Sequence, residues 1–134
     1  MHEWSLAQAV IYTVIKHKEK EKLKQITEIE IKMGELQQID KEIFKFALQE
    51  IAQLEKMEGI KIKTKTERAV LKCRVCEYKW DYNDSLKGLK EDKAELIHFI
   101  PEVAHVYLRC SQCKSPDFEV IKGRGVWINY IKGL

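Results

Sequence analysis

Hydrophobic positions recur along this chain with two different periods. Near the start, Leu6, Val10 and Val14 return every fourth residue, with Ala7, Ile11 and Ile15 beside them. That spacing predicts an amphipathic helix, capped by Ser5 and running to about Lys22. From Ile26 to Met33 the period changes to two. Ile29, Ile31 and Met33 alternate with Glu28, Glu30 and Lys32, the pattern of a strand with one buried face, ended by Gly34. Asp40 then caps a second helix from about Lys41 to Met57, with Ile43, Phe44, Ala47, Leu48, Ile51 and Leu54 on its apolar side. Gly59 closes that connection. Residues 60–66 alternate again, Ile60, Ile62 and Thr64 opposing lysines. The order is helix, strand, helix, strand.

The second half is less periodic. The stretch Asp84 to Lys93 is polar and reads as loop or short helix, while Leu96 to Pro101 and Val106 to Leu108 are apolar. Phe118–Ile121 and Val126–Ile131 read as strands around Gly123-Arg124-Gly125. That glycine pair is a turn and not a phosphate loop, because no helix follows it. The last strand is too apolar to hang from a small peripheral module, so it is expected to return to the first sheet. The predicted fold is α+β: a small sheet of about three strands with two helices, plus an inserted zinc-ribbon-like module. The boundaries are 1–68 with 123–134 for the α+β domain and 69–122 for the insertion.

Composition narrows the choice of partners. The 134 residues carry 24 basic and 21 acidic side chains, and the net charge of +3 is interspersed rather than clustered. This is a solvated surface more than a nucleic-acid footprint. No apolar run is long enough to cross a membrane, so neither membrane nor nucleic acid is an expected partner. Four reduced cysteines and no export signal predict a cytosolic protein.

Those cysteines carry the clearest chemistry. Cys73 and Cys76 form one C-x-x-C pair, Cys110 and Cys113 another, with residues 77–109 between them. Two such turns aim four thiolates at one point, the arrangement of a structural zinc ion with no open position for substrate. Iron in the same four thiolates is the alternative ion, and two local disulfides the non-metal alternative. Trp80 and Tyr82 are placed to cover the knuckle. No nucleophile–base pair accompanies the site, so an enzyme is not expected. A zinc-ribbon module for nucleic acid or protein interaction is the alternative reading of the whole chain.

His2 offers a second metal chemistry. Its imidazole, its backbone nitrogen and the α-amine of Met1 can close two fused chelate rings around one ion. The amide must lose its proton, which favours square-planar Ni2+ or Cu2+. A fourth donor is required. His17 follows along a helix, which puts it roughly 18 Å away at about 1.5 Å of rise per residue, and is read as a solvated residue. His98, flanked by Ile97 and Phe99, is the candidate fourth ligand, with His105 held nearer the cysteine module.

Met1-His2-Glu3-x-Ser5-Leu6, Gly34-Glu35-Leu36, Glu58-Gly59 before a strand, and the two C-x-x-C pairs resemble the HypA/HybF family of nickel metallochaperones. The resemblance implies Ni2+ as transported cargo and delivery to the large subunit of [NiFe]-hydrogenase, in partnership with the GTPase HypB. It implies His2 as nickel ligand with acidic Glu3 beside it, and Cys73, Cys76, Cys110 and Cys113 as ligands of structural Zn2+. The segment between the cysteine pairs is longer than in compact members, so residues 84 to 105 lie outside the shared motifs.

Overall fold

The computed structural model describes residues 2–37, 39–85, 93 and 107–134. Its elements, in chain order, are α1 (Glu3–Lys20), β1 (Ile26–Gly34), α2 (Lys41–Leu54), β2 (Lys61–Glu67), β3 (Val70–Cys73), β4 (Lys79–Asp81), the short helix α3 (Tyr82–Ser85), β5 (Phe118–Lys122) and β6 (Val126–Gly133). His98 and His105 fall outside the described residues, as do 86–92. Contacts divide the chain into two compact units. One comprises 1–32, 39–65 and 126–134, the other 33–38 and 66–125.

The first unit holds a three-stranded sheet of order β2-β1-β6. The last strand does return to the first sheet. β6 runs antiparallel to β1: Thr27 Oγ1 donates to the Lys132 carbonyl, and farther along Asn129 reaches Glu30. Glu28 pairs with Lys63 and Glu30 with Lys65, so β1 and β2 advance together, as in a parallel pair joined by a helical crossover. Ala7, Val10, Ile11 and Val14 of α1, Phe44, Ala47, Leu48 and Ala52 of α2, and Ile29 and Ile31 of β1 are buried. Apart from Ala52 these are residues whose period marked them as apolar faces; Ile43 and Leu54, expected on the apolar side of α2, are exposed instead. Burying the Val, Ile, Leu and Phe side chains of the buried set stabilises by about 1.5–3 kcal/mol each, before chain entropy is subtracted.

Two helix boundaries differ from the sequence reading. α1 starts at Glu3, not after Ser5, with His2 in the capping position and its carbonyl accepting the Leu6 N–H at 2.9 Å. The Glu3 carboxylate fixes this start, as described below. α2 begins where Asp40 predicts: Asp40 Oδ1 accepts the Glu42 and Ile43 N–H groups, both at 3.1 Å. It ends at Leu54, three residues early, because Lys56 takes a left-handed φ of 59°.

Gly34 does not break β1, which runs through it. The glycine is needed for close packing instead. A Cβ there would lie 2.1 Å from the Gly123 carbonyl oxygen. Leu36 N–H donates to that same carbonyl, and Gly34 N–H to that of Gly125. Glu35 Oε1 accepts the Ala69 N–H at 2.8 Å. Gly34-Glu35-Leu36 is thus a backbone clamp of the second unit. That unit has its own sheet, β4-β3-β5, with β3 antiparallel to both neighbours. Its small core is Leu36, Ala69, Leu71, Tyr82, Leu108 and Phe118, with Trp80, Tyr107 and Val120 against it. β5 and β6 therefore belong to different sheets. The Gly123-Arg124-Gly125 turn joins two sheets rather than the arms of a hairpin.

In the first unit, Glu30 is buried on the side of β1 that alternation assigns to solvent. Asn129 donates to it at 2.7 Å and Lys65 pairs with it at 3.2 Å. Glu28 accepts from the Tyr130 hydroxyl. The Asn129 amide and then Lys65 hold the Glu30 carboxyl below the usual range, and the Tyr130 hydroxyl does the same for Glu28. The same bond pushes Tyr130 from near 10 up to about 12. Depressed carboxyl values mean stabilisation that is present above the ordinary value near 4.5 and lost as pH falls through the folded one. Raised Tyr130 adds stabilisation that is present below pH 10 and lost as pH climbs toward 12. Urea midpoints measured from neutral pH into acid should fall more steeply for wild type than for a Glu28→Gln/Glu30→Gln protein. Parallel acid limbs would show that neither carboxylate is linked to folding.

Candidate metal centre

The four cysteines, separated by most of the second unit's sequence, converge. Their Sγ atoms all lie within 4.8 Å of one another. Cys73 faces Cys113 at 3.5 Å and Cys76 faces Cys110 at 3.6 Å, and all four are free thiols. A tetrahedral ion bonded to sulfur at about 2.3 Å would set its ligands about 3.8 Å apart. The observed spacing fits such an ion and exceeds any S–S bond.

The two knuckles are built alike. After Cys73 the Glu77 N–H returns to the Cys73 carbonyl at 3.0 Å; after Cys110 the Lys114 N–H returns to the Cys110 carbonyl at 2.9 Å. Each cysteine N–H is then taken five residues on, Cys73 by Tyr78 and Cys110 by Ser115. Glu77 and Lys114 hold left-handed φ angles of 65° and 64°. Neither is Gly or Asn, so nothing in the sequence marked these positions. The first cysteine of each pair is buried and the second exposed. Amide N–H groups of Cys76 and Val75 point at Cys73 Sγ from 3.5 and 3.4 Å. The Cys76 amide, followed by that of Val75, brings the Cys73 thiol from an ordinary value near 9 down to about 7, while burial and the facing Cys110 sulfur push Cys76 up to about 12, so the cluster does not ionise together without a cation.

Trp80 and Tyr82 are placed otherwise than expected. Tyr82 is buried in the second unit's core, and Trp80 packs edge-on against Phe118 with centroids 5.6 Å apart. Tyr78, stacked on Trp80 at 6.0 Å, is the exposed aromatic beside the first knuckle. Arg74 spans to Asp117 and Glu119 at 3.5 and 3.7 Å, but these exposed pairs add little stability.

The other candidate residues lie in the first unit. His2 is exposed, with φ −95° and ψ 63°, and its side chain makes no capping bond. Glu3 Oε1 accepts the Asp40 N–H at 3.1 Å, tying the start of α1 to the cap of α2. That amide holds the Glu3 carboxyl below its usual range. Trp4 and Phe46 pack edge-to-face across the same helix pair, centroids 6.0 Å apart and each about half exposed. Sequence reasoning found Glu3 as a neighbour of His2 but missed its bond to Asp40, because nothing in the sequence pairs residues so distant. Met1 and His98 fall outside the described residues.

Comparison with known proteins decides the lineage. A family model described as hydrogenase/urease nickel incorporation, metallochaperone, HypA, matches residues 1–133. The chain belongs to the HypA family. Among curated relatives, the hydrogenase maturation factor HypA of Pyrococcus horikoshii is 46% identical over 132 residues, covering 98% of this chain and 95% of its own. That of Thermococcus kodakarensis is 42% identical over 132 residues, covering 98% and 95%. The solution structure of the nickel metallochaperone HypA from Helicobacter pylori superposes with a TM-score of 0.64 at 19% identity, covering 100% of this chain and 98% of its own. That likeness bears on the fold. HypA is a metallochaperone family, so the chain is not an enzyme. Among the described residues no helix is long and apolar enough to cross a membrane.

Replacing either buried cysteine should dismantle the metal centre. Cys73→Ser or Cys110→Ser is expected to leave less than stoichiometric metal by elemental analysis. The Trp80 near-UV signal should broaden with it, because the knuckle and β3 share Cys73. Full metal content in both variants would refute a four-sulfur site.

Proposed function

We propose that this protein is a nickel metallochaperone that carries Ni2+ at its N-terminus and delivers it for maturation of [NiFe]-hydrogenase. The first unit is the nickel-binding domain, and the second is the inserted zinc module. Cys73, Cys76, Cys110 and Cys113 hold one structural Zn2+, a closed site with no role in transfer. Nickel is bound by the Met1 amine, the His2 amide nitrogen and the His2 imidazole, with His98 as the fourth donor. The protein works in the cytosol with the GTPase HypB and the hydrogenase large subunit.

One observation supports the terminus above others. His2 stands just outside α1, and the first helical hydrogen bond uses its carbonyl, not its N–H. The His2 amide can lose its proton without breaking the helix. The partial positive charge at a helix N-terminus favours the deprotonated amide. Glu3, engaged with Asp40, acts as a positioning residue that holds this geometry. Binding through a deprotonated amide releases protons, so affinity weakens in acid.

His2→Ala is expected to abolish nickel binding in calorimetry while leaving zinc content unchanged. Residues added ahead of Met1 convert the amine to an amide and should do comparable harm. Equal affinity and identical d–d spectra in tagged and untagged protein would remove the amine from the ligand set. His98→Ala, compared with His105→Ala, should alter the d–d spectrum only in the former.

The partnership has its own test. HypB should co-purify with the wild-type chain and lose that association when Trp4 and Phe46 on the exposed helix pair are both replaced by Ser. No association in any nucleotide or nickel state would remove HypB as a partner.

A further inference from the structure

One sheet face of the first unit carries more charge than its stability requires. β1 presents Glu28, Glu30 and Lys32, β2 presents Lys61, Lys63 and Lys65, and β6 presents Tyr130 and Lys132. Residues two apart on a strand share a face, and the contacts bring the three sets together. Lys63 and Lys132 stand 3.7 and 3.6 Å from Glu28 Oε2, and Lys65 stands 3.2 Å from Glu30 Oε1. Lys61 lies two residues before Lys63 on β2, and Lys32 two residues after Glu30 on β1. Three ammonium groups thus pair with two carboxylates, and Lys61 and Lys32 continue the same alternating positions of β2 and β1.

Folding does not account for this excess. The carboxylates are nearly covered, with side chains 14% and 4% exposed, while Lys63, Lys65 and Lys132 are 43%, 66% and 65% exposed. Exposed ion pairs contribute little, and two lysines would neutralise both glutamates. Lysines on β2 also protect an edge strand from pairing with other chains. Lys32, however, lies on the central strand β1, where no edge needs protection.

We propose that this sheet face is a docking surface for an acidic segment of a partner protein. The sign alternates across the sheet: lysines on β2, carboxylates on β1, lysine again on β6. Separate acidic side chains can bridge to the two lysine rims and leave the Glu28–Glu30 line facing a gap. A continuous polyphosphate would be pressed against those carboxylates. Nor is there a stacking platform for bases, since Lys132 sits 5.2 Å over the Tyr130 ring and the hydroxyl is bonded to Glu28. The proposal is independent of the nickel terminus.

The test titrates the full-length chain with a short poly-L-glutamate peptide, following backbone amide shifts at low salt, with a thymidine oligonucleotide as comparator. Shifts should localise to β1, β2 and β6 and vanish at about 1 M salt. Lys61→Gln/Lys63→Gln/Lys65→Gln should weaken peptide binding about tenfold, given the modest worth of each exposed charge. The corresponding triple Arg variant should retain it. Nickel and zinc content should match wild type in both, separating this outcome from failure of the metal sites. If the triple Gln protein misfolds, Lys32→Gln/Lys132→Gln should show the same weakening. Shifts scattered over all lysine-bearing surfaces, unchanged binding by a folded Gln variant, or tighter binding of the oligonucleotide at this face would overturn the proposal.

Discussion

Four sulfur atoms within 4.8 Å of one another govern what residues 33–38 and 66–125 can be. Sulfurs facing each other at 3.5 and 3.6 Å cannot all carry negative charge unless a cation lies between them. Among the described residues, the cluster packed beside them is six buried side chains and three partial ones. A domain's net stability is about 5–15 kcal/mol, whereas a structural zinc ion in thiolates contributes roughly 10–16 kcal/mol. On the proposed reading, a zinc ion in these thiolates would contribute as much as a small domain's whole net stability. The aromatic packing of Trp80 and Phe118 follows from the same constraint, since β3 must deliver Cys73 while β5 lies alongside it.

The first unit is held differently. Its helices and central strand bury continuous apolar faces, and no metal is needed to close them. What requires particular residues is the place where α1 begins. The Asp40 side chain caps α2 while its own N–H goes to Glu3. One residue thus serves one helix by its carboxylate and the other by its amide. This fixes the first turn of α1, and with it the backbone of His2.

Legibility in the sequence followed physical range. Period-four and period-two apolar patterns located α1, β1, α2 and β2, because burial of Val10, Ile29 or Phe44 is imposed by spacing along the chain. The α+β architecture and HypA lineage were also legible, the latter from motifs at both ends of the chain. Contacts between distant residues were not. Gly34 looked like a strand breaker, yet its missing Cβ makes room for the Gly123 carbonyl. Glu30 looked solvated, yet lies buried beneath Asn129 and Lys65, residues of two different strands. Ser5 looked like a helix cap, but α1 starts three residues earlier, where Glu3 bonds the Asp40 amide. At the metal centre, duplicated C-x-x-C announced four converging thiols, while the left-handed turns at Glu77 and Lys114 left no compositional trace.

On the proposed reading, the chain handles two metals by opposite rules, and its donors explain the division. Four thiolates supply a complete tetrahedron from two rigid knuckles, so an ion there has no free position from which a partner can draw it away. The terminus supplies three nitrogens from an exposed residue beside a helix end. It depends on an amide that re-protonates as soon as its metal bond weakens. Binding there is coupled to a proton, and it leaves the fourth corner to a donor from elsewhere. Retention and release therefore need no separate gating device. A closed sulfur site keeps its ion because loss would cost the fold, and an open nitrogen site gives its ion up because loss costs only a proton exchange.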